Sequence, residues 1–268
     1  MLSIVVPGYN EAGNIAPLEK AIRETMAALP LPYEFIYVDD ASTDESWSIL
    51  ERLGAADSRI RALRLSRNCG QSAALWAGIR AARGQYVATL DADLQNNPAE
   101  LPKFLAALEH CDCVCGSRRQ TRRQGDSLIR YFSSRFANWV RNKITRETIK
   151  DSACGYRVFR RECAANLKFF KGMHRFLPTL FKIEGYTVTV IPVNHQPRFA
   201  GKSHYGIWNR LLTTITDLFV VRWMQKRTIR YQIAEQINVT SLVGEASKRA
   251  IPKNALMGQG IEQRQRKP

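Results

Sequence analysis

Three oxygen-bearing side chains follow an apolar run in the segment LDADLQNNP, residues 90–98. They are Asp91, Asp93 and Gln95, which occupy alternate positions. In an extended strand, alternate side chains point to the same face, so this spacing would direct three oxygens toward one point. Carboxylate and amide oxygens are the ligands that Mg²⁺ and Mn²⁺ prefer. The segment therefore predicts a divalent-metal site, and such a metal can bridge a diphosphate and neutralise its charge as it leaves.

Polar clusters also follow two other apolar runs, at PGYNE (residues 7–11) and at VDDASTD (residues 38–44). Each cluster alone is compatible with turn or helix-cap chemistry, because Asp, Asn and Ser favour such positions. Three carboxylate-bearing strand ends together instead indicate a ligand site, since ligands bind at the carboxyl ends of strands in an open parallel sheet. Neither common glycine-rich phosphate loop is present, so cations must hold any phosphate group.

The elements that position these clusters alternate regularly from residue 2 to about residue 118. Short apolar runs alternate with longer periodic segments, which is typical of a parallel sheet covered by helices. The first helix is expected from about Asn14 as its N-cap, and the third is expected to close at Gly84. Cys111, Cys113 and Cys115 alternate in the fifth apolar run, which predicts buried side chains on one strand face.

The pattern changes after residue 118. A basic amphipathic helix is expected in SLIRYFSSRFANWVRNKIT, followed by strands in DSACGYRVFRRE and YTVTVIPVNH. Residues 117–150 hold ten Lys/Arg against two acidic residues, and residues 225–268 hold nine against three, within a net charge of +16. Such segments favour anionic partners. Residues 206–224 form an apolar run interrupted by Arg210, Asp217 and Arg222, which favours a helix lying on a membrane surface over one that spans it.

The ordered set of PGYNE, VDDASTD, RNCGQSAALWAG, LDADLQNNP, DSACGYRVF and RFAGKSHYG resembles the family 2 glycosyltransferases. More narrowly, it resembles the polyprenyl-phosphate glycosyltransferases of the dolichol-phosphate mannose synthase type. The resemblance implies an α/β GT-A fold with a Rossmann-like, mostly parallel sheet flanked by helices. It also implies a catalytic domain over residues 1–205. The interrupted apolar run and its flanking cations predict an amphipathic membrane-interface helix over residues 206–227. Residues 228–268 are then expected to form a mobile basic tail.

The activity that this resemblance implies is inverting transfer of a sugar from a GDP- or UDP-linked donor to undecaprenyl or dolichyl phosphate, with Mg²⁺ or Mn²⁺ as cofactor. Asp91, Asp93 and Gln95 would hold the metal on the sugar nucleotide. The nucleoside would be bound by four residues: Pro7, Tyr9, Glu11 and Asp40. The expected catalytic residues are Asp93, Asp151 and Arg157. Of these, Asp151 would position the sugar or support the metal, and Arg157 would lie near the diphosphate.

The acceptor phosphate is expected to be held mainly by cations: Arg118, Arg130, Ser134, Arg175, Arg198 and Lys202. The stretch DSACGYR lacks the acidic pair that supplies a general base in many relatives. A polyprenyl phosphate needs no base, because its second pKa is roughly 6 and much of it is already dianionic at neutral pH. It needs orientation and charge compensation, for which the planar guanidinium group of arginine is well suited.

Other functions stay open at this stage. A family 2 transferase acting on a soluble or polysaccharide acceptor would share most of these motifs, although FVVRWMQ has no Gln three residues before Arg222, as processive synthases have. Net charge allows nucleic-acid binding, but no binding motif supports it and the basic segments lack interleaved aromatic residues.

The N-terminal MLSIVVPGYN lacks the pattern of a secretory signal, so we expect a cytoplasmic protein at the inner membrane face. It would be either peripheral or recruited by a separate membrane protein.

Overall fold

The computed structural model describes residues 1–118, 139–146, 154–194 and 207–229, with the side chains of residues 207–215 excluded. Residues Met1–Thr228 belong to one compact unit. Asp151, Arg130, Ser134, Arg198 and Lys202 lie outside the described residues, so the expectations placed on them stay predictions.

Seven strands form one sheet in the described part of the chain: β1 (Leu2–Gly8), β2 (Tyr33–Asp39), β3 (Ile60–Arg64), β4 (Tyr86–Thr89), β5 (Cys113–Ser117), β6 (Arg157–Arg160) and β7 (Val188–Pro192). Their order across the sheet is β3-β2-β1-β4-β6-β5-β7. Strand β6 runs antiparallel to both of its neighbours, and the other strands run parallel to one another. The expectation of a mostly parallel sheet is confirmed, with its carboxyl ends gathered at one edge.

Helices cover both faces of this sheet: α1 (Ala12–Ala27), α2 (Ser46–Ala56), α3 (Gln71–Ala81), α4 (Leu101–Ala107), α5 (residues 139–145), α6 (Leu177–Glu184) and α7 (Ile207–Arg227). Side chains alternate along the strands, so each strand contributes to two apolar layers. In β1, Ile4 and Val6 pack in the layer that contains α1 and α4, whereas Val5 packs in the layer that contains α3 and α6. A sheet buried on both faces explains the continuous apolar runs in the sequence.

Two expected helix ends are wrong. Helix α1 begins at Ala12 rather than after Asn14, which lies buried inside the first turn and donates a hydrogen bond to the carboxylate of Glu11. Helix α3 ends at Ala81, before Gly84. Gly84 is instead a close-approach position, because a Cβ there would lie 2.7 Å from the backbone nitrogen of Ser3. Tertiary packing accounts for this glycine without any helix cap.

The cysteine prediction is confirmed for burial and corrected for geometry. Cys113 and Cys115 lie on β5 with their sulfur atoms 3.7 Å apart, in the layer that contains α3. Cys111 precedes the strand and packs in the opposite layer. Because the strand begins only at Cys113, its two-residue repeat does not extend to Cys111.

A buried polar network anchors the amino ends of β1 and β2. The Glu34 carboxylate accepts hydrogen bonds from the Ser3 hydroxyl at 2.6 Å, the Arg61 guanidinium at 2.7 Å and the Arg83 backbone nitrogen at 2.7 Å. Burial alone would raise the pKa of Glu34, but these hydrogen bonds outweigh it and lower the pKa below its ordinary value. The network ties β2 to the turn between α3 and β4.

We expect Glu34→Gln to lower the free energy of unfolding by about 1–3 kcal/mol at neutral pH, because buried donors lose a charged acceptor. The folded-state pKa of Glu34 is depressed, so this stabilisation is present above the unfolded pKa and is lost as pH falls through the folded value. Denaturant unfolding at several pH values measures the difference, with the surface variant Glu24→Gln as control. A difference that does not shrink in acid would contradict this assignment.

Candidate active site

The acidic segment that follows β4 forms a turn. Strand β4 ends at Thr89, and Leu94 adopts a left-handed backbone conformation with φ of 59°. The backbone nitrogen of Gln95 donates a hydrogen bond of 3.2 Å to the Asp93 carboxylate, which closes the turn. The expectation that Asp91, Asp93 and Gln95 share a strand face is therefore wrong. A tight turn brings the two carboxylates near each other, since side chains around a reversal can converge.

Asp91 is held by contacts from three separate parts of the chain. Gln71, the first residue of α3, donates to Asp91 Oδ1 at 3.1 Å, and Asn96 donates to Oδ2 at 3.4 Å. Gly155 lies directly against the carboxylate, because a Cβ there would be 2.5 Å from Asp91 Cγ. Asn96 is itself buried and accepts a contact from the Cys154 sulfur at 3.8 Å. These contacts fix the position of the Asp91 carboxylate.

Two buried arginines lie close enough to act on the same carboxylate. Arg118 directly follows β5 and Arg157 begins β6, and their side chains are almost fully buried. Burial raises the pKa of Asp91, and the negative charge of Asp93 raises it further. Both guanidinium groups act in the opposite direction, yet the pKa stays above its ordinary value. The pKa of Asp91 therefore stays raised mainly because of burial, which the two guanidinium groups do not outweigh.

The donor set of this turn fits a divalent cation shared with a substrate. The turn contains the carboxylates of Asp91 and Asp93 and the amide of Gln95, which are hard oxygen ligands. Mg²⁺ or Mn²⁺ commonly takes one or two protein carboxylates together with substrate phosphates and water. Among the described residues, no group of three or more His, Cys, Asp and Glu side chains could enclose a metal. The residues present therefore fit an ion bridged to a phosphate better than one in a closed protein cage.

The loops after β1 and β2 are bonded to each other beside this turn. The Asn10 backbone nitrogen donates to the Ser42 hydroxyl at 2.8 Å, and the Asn10 side chain accepts from the Thr43 nitrogen at 2.8 Å. The Asp44 carboxylate accepts from the Ala12 nitrogen at 3.2 Å. Sequence reasoning assigned no role to these contacts, which hold the expected nucleoside-binding segment in place.

The four residues expected to bind the nucleoside occupy this region: Pro7, Tyr9, Glu11 and Asp40. Pro7 is buried at the end of β1, and Tyr9 and Glu11 are partly exposed just beyond it. Asp40 is buried, and both of its carboxylate oxygens accept backbone hydrogen bonds of 2.7 Å, from Cys69 and Gly70. Asp40 therefore shapes the loop that precedes α3. Strand β1 lies between β2 and β4, where the strand order reverses, which is where open α/β sheets bind ligands.

Arg175, expected to bind the acceptor phosphate, lies close to helix α7. Its guanidinium lies 4.0 Å from the Asp217 carboxylate on α7. The neighbouring His174 is hydrogen-bonded through Nδ1 to the Ser72 hydroxyl at 2.6 Å, and Ser72 also accepts from the Gly172 nitrogen at 2.9 Å. Arg175 thus helps to join α7 to the loop at the start of α3.

Helix α7 has both a packed side and an exposed apolar side. Leu218 and Val221 are buried in the core layer, whereas Phe219 and Trp223 are each 61% exposed and Val220 is 43% exposed. Apolar residues of the described part of α7 thus serve two surfaces, because Leu218 packs inward while Phe219 and Val220 face solvent. Within the described residues, no helix combines the length and apolar character needed to cross a bilayer.

Comparison with known proteins identifies the family. A family model described as Glycosyl transferase family 2 matches residues 3–167. A dodecaprenyl-phosphate galacturonate synthase of Rhizobium johnstonii is 33% identical over 85% of this chain and 68% of its own length. An undecaprenyl-phosphate 4-deoxy-4-formamido-L-arabinose transferase of Salmonella choleraesuis is 34% identical over 81% of this chain and 66% of its own length. The chain thus spans about two thirds of the relatives that it matches.

The fold is shared with solved structures at low sequence identity. A mannosyltransferase from Pyrobaculum calidifontis, determined in complex with GDP-Man and Mn²⁺, aligns with a TM-score of 0.58 and 22% identity over 86% of this chain and 65% of that one. This likeness confirms the GT-A architecture expected from the sequence. Together with the family match over more than half of the chain, it shows that this protein belongs to glycosyl transferase family 2.

Proposed function

We propose that this protein transfers a sugar from a nucleoside diphosphate donor to a polyprenyl phosphate at a membrane surface, assisted by Mg²⁺ or Mn²⁺. The observation that carries the proposal is the acidic turn of Asp91 and Asp93, flanked by the buried Arg118 and Arg157 at the carboxyl edge of the sheet. The relatives named above support the acceptor class, since their names describe prenyl-phosphate acceptors. The chemistry of the turn supports the donor class, because a diphosphate supplies the oxygens that a cation held there still needs.

The reaction follows from the charges of the reactants. A phosphate oxygen of the lipid forms a bond to the anomeric carbon as the bond from that carbon to the diphosphate breaks, so configuration inverts. No proton has to be removed from a dianionic phosphate, and the nucleoside diphosphate leaves with the bonding electron pair. A bound metal would supply charge neutralisation for that leaving group. Positioning and electrostatic compensation are then the main tasks of the protein.

We assign Arg118 and Arg157 to the diphosphate of the donor and the phosphate of the lipid acceptor, which must approach each other. Donor and acceptor both carry negative charge, and guanidinium groups on rigid strand ends reduce the repulsion between them. Their burial strengthens this effect, because charges interact more strongly away from water. Tyr9, Glu11 and Asp40 would accommodate the nucleoside between the loops after β1 and β2.

Replacing Asp93 with Asn should lower transfer at least about 100-fold, equivalent to roughly 3 kcal/mol of transition-state stabilisation, because the metal loses a charged ligand. The assay uses radiolabelled UDP- and GDP-sugars, Mn²⁺ and a short polyprenyl phosphate, and counts label in an organic-extractable, acid-labile product. Asp57→Asn is the matched control, because Asp57 is a partly exposed carboxylate that pairs with Arg59. Full turnover by the Asp93 variant, or label that enters only water-soluble products, would contradict the proposal.

Cys69 provides a probe of nucleotide binding. Its thiol is exposed while the other five cysteines are buried, and its backbone is bonded to Asp40. We expect a maleimide to label one thiol per native chain and six after denaturation. Saturating nucleoside diphosphate with Mn²⁺ should slow labelling of Cys69 several-fold, and Asp40→Asn should weaken that protection. Mass spectrometry of digested protein measures both; a Cys69 rate that saturating nucleotide leaves unchanged would place the nucleotide elsewhere.

The exposed side of α7 is the surface that we assign to the membrane. Phe219 and Trp223 lie beside the exposed Lys226 and Arg227, and aromatic and cationic residues together favour the interface of an anionic leaflet. Replacing both aromatic residues with Ser should reduce binding to anionic vesicles by about tenfold or more, because full burial of such a side chain contributes roughly 1.5–3 kcal/mol. Co-sedimentation measures the binding. The melting temperature should stay unchanged, and undiminished vesicle binding would exclude this surface.

A further inference from the structure

Strand β6 brings residues 154–157 against the acidic turn through its antiparallel register with β4. In that register Thr89 faces Arg157. Continuing the same register by two residues places Gly155 opposite Asp91. The Thr89 hydroxyl donates a hydrogen bond of 2.8 Å to the Gly155 carbonyl, which holds the two segments together just beyond the ladder.

The Asp91 carboxylate occupies the space that a side chain at position 155 would need. A Cβ at Gly155 would lie 2.5 Å from both Cγ and Oδ1 of Asp91, and closer still to Oδ2. Real Cβ atoms do not approach other atoms this closely, and here the obstructing group is a short side chain held by other contacts. Since Gly155 does not have a positive φ, its requirement comes from this contact rather than from backbone conformation.

Each oxygen of the carboxylate also accepts a hydrogen bond from a side-chain amide. Gln71 reaches Oδ1 from the start of α3, and the buried Asn96 reaches Oδ2 from the same turn. Asn96 is in turn adjacent to Cys154, the neighbour of Gly155. The orientation of the carboxylate is therefore limited by contact with Gly155 and by one amide hydrogen bond to each oxygen.

We propose that Gly155 and Gln71 are positioning residues that hold the Asp91 carboxylate in the orientation needed to bind the divalent metal, and that a side chain at position 155 would displace it. This inference rests on the metal site of the proposed function and adds to it the residues that orient one ligand. Partners that orient a ligand typically change metal affinity 10–100-fold when they are replaced. Gly155 would do so by contact rather than by hydrogen bonding.

The first measurement is the affinity for Mn²⁺ in the presence of UDP or GDP and without acceptor. The signal of free Mn²⁺ in electron paramagnetic resonance reports how much of the ion is bound. We expect Gly155→Ala to weaken Mn²⁺ binding about 10–100-fold, and Gln71→Met, which keeps length but removes the donor, to weaken it by a smaller factor. Gly54→Ala is the matched control. A Cβ at Gly54, on α2, would meet only the Ile60 carbonyl at 3.8 Å. That variant should bind Mn²⁺ like the original protein.

The second measurement tests the contact itself in metal-free protein, so it does not depend on activity. We expect Gly155→Ala to lower the melting temperature by about 2–10 °C. The same change in an Asp91→Ala background should cost much less, because the obstructing carboxylate is gone. Such non-additivity is the signature of direct contact between two sites. Circular dichroism confirms that each variant is folded.

The outcomes separate the inference from the function on which it rests. Non-additive melting temperatures together with weakened Mn²⁺ binding support it. Equal losses of melting temperature in both backgrounds would overturn the contact. Unchanged Mn²⁺ affinity in Gly155→Ala would overturn the positioning role, even with non-additive stability. If the original protein itself fails to bind Mn²⁺ in the presence of nucleotide, the metal site of the proposed function is wrong.

Discussion

The accommodation of one carboxylate, Asp91, is the constraint on which the site depends. Bringing two carboxylates together in a half-buried turn is unfavourable, because burial and like charge both oppose ionisation. The protein offsets this with Arg118 and Arg157, whose guanidinium groups lie near, and with amide donors from Gln71 and Asn96. The pKa of Asp91 nevertheless stays raised, mainly because the carboxylate is buried. A carboxylate that is unfavourable to ionise in its buried position is one that a bound cation would stabilise.

The antiparallel strand β6 is what makes this arrangement possible. A parallel strand in the place of β6 would end at the carboxyl edge and could deliver only its last residues there. Strand β6 instead begins at that edge, so Cys154, Gly155 and Arg157 enter beside the acidic turn. The segment before it is anchored by Tyr156, which stacks on Phe104 at 4.2 Å in the core. Core packing thereby fixes a segment that contacts the site.

The start of α3 connects two regions that the proposed function uses for different substrates. Gln71 contacts Asp91, and the adjacent Ser72 contacts His174 and Gly172. That loop also carries Arg175, which pairs with Asp217 on α7. The helix with the exposed aromatic side chains and the acidic turn are therefore joined through neighbouring residues of one helix terminus. Rigid support of this kind would help a membrane-bound acceptor and a water-soluble donor to meet in a defined geometry.

The sequence by itself determined the fold class, the family and the edge of the sheet at which the polar clusters gather. These properties follow from local patterns: apolar runs predict strands, and carboxylates after parallel strands converge because those strands end together. It also placed Arg118 and Arg157 among the residues of interest. The motif GQSAALWAG was recognised, but the contact of its Gln71 with Asp91 was not, because no local pattern encodes which distant carboxylate an amide will reach.

Only the tertiary structure decided how the acidic residues are arranged and why Gly155 lacks a side chain. Alternation along a strand was the wrong guide for Asp91 and Asp93, since the strand ends at Thr89 and a turn with Leu94 in a left-handed conformation follows. Gly155 faces Asp91 only because β6 pairs with β4 across 66 residues of sequence. Strand direction and register depend on the packing of the whole sheet, so no short segment of the amino-acid sequence specifies them.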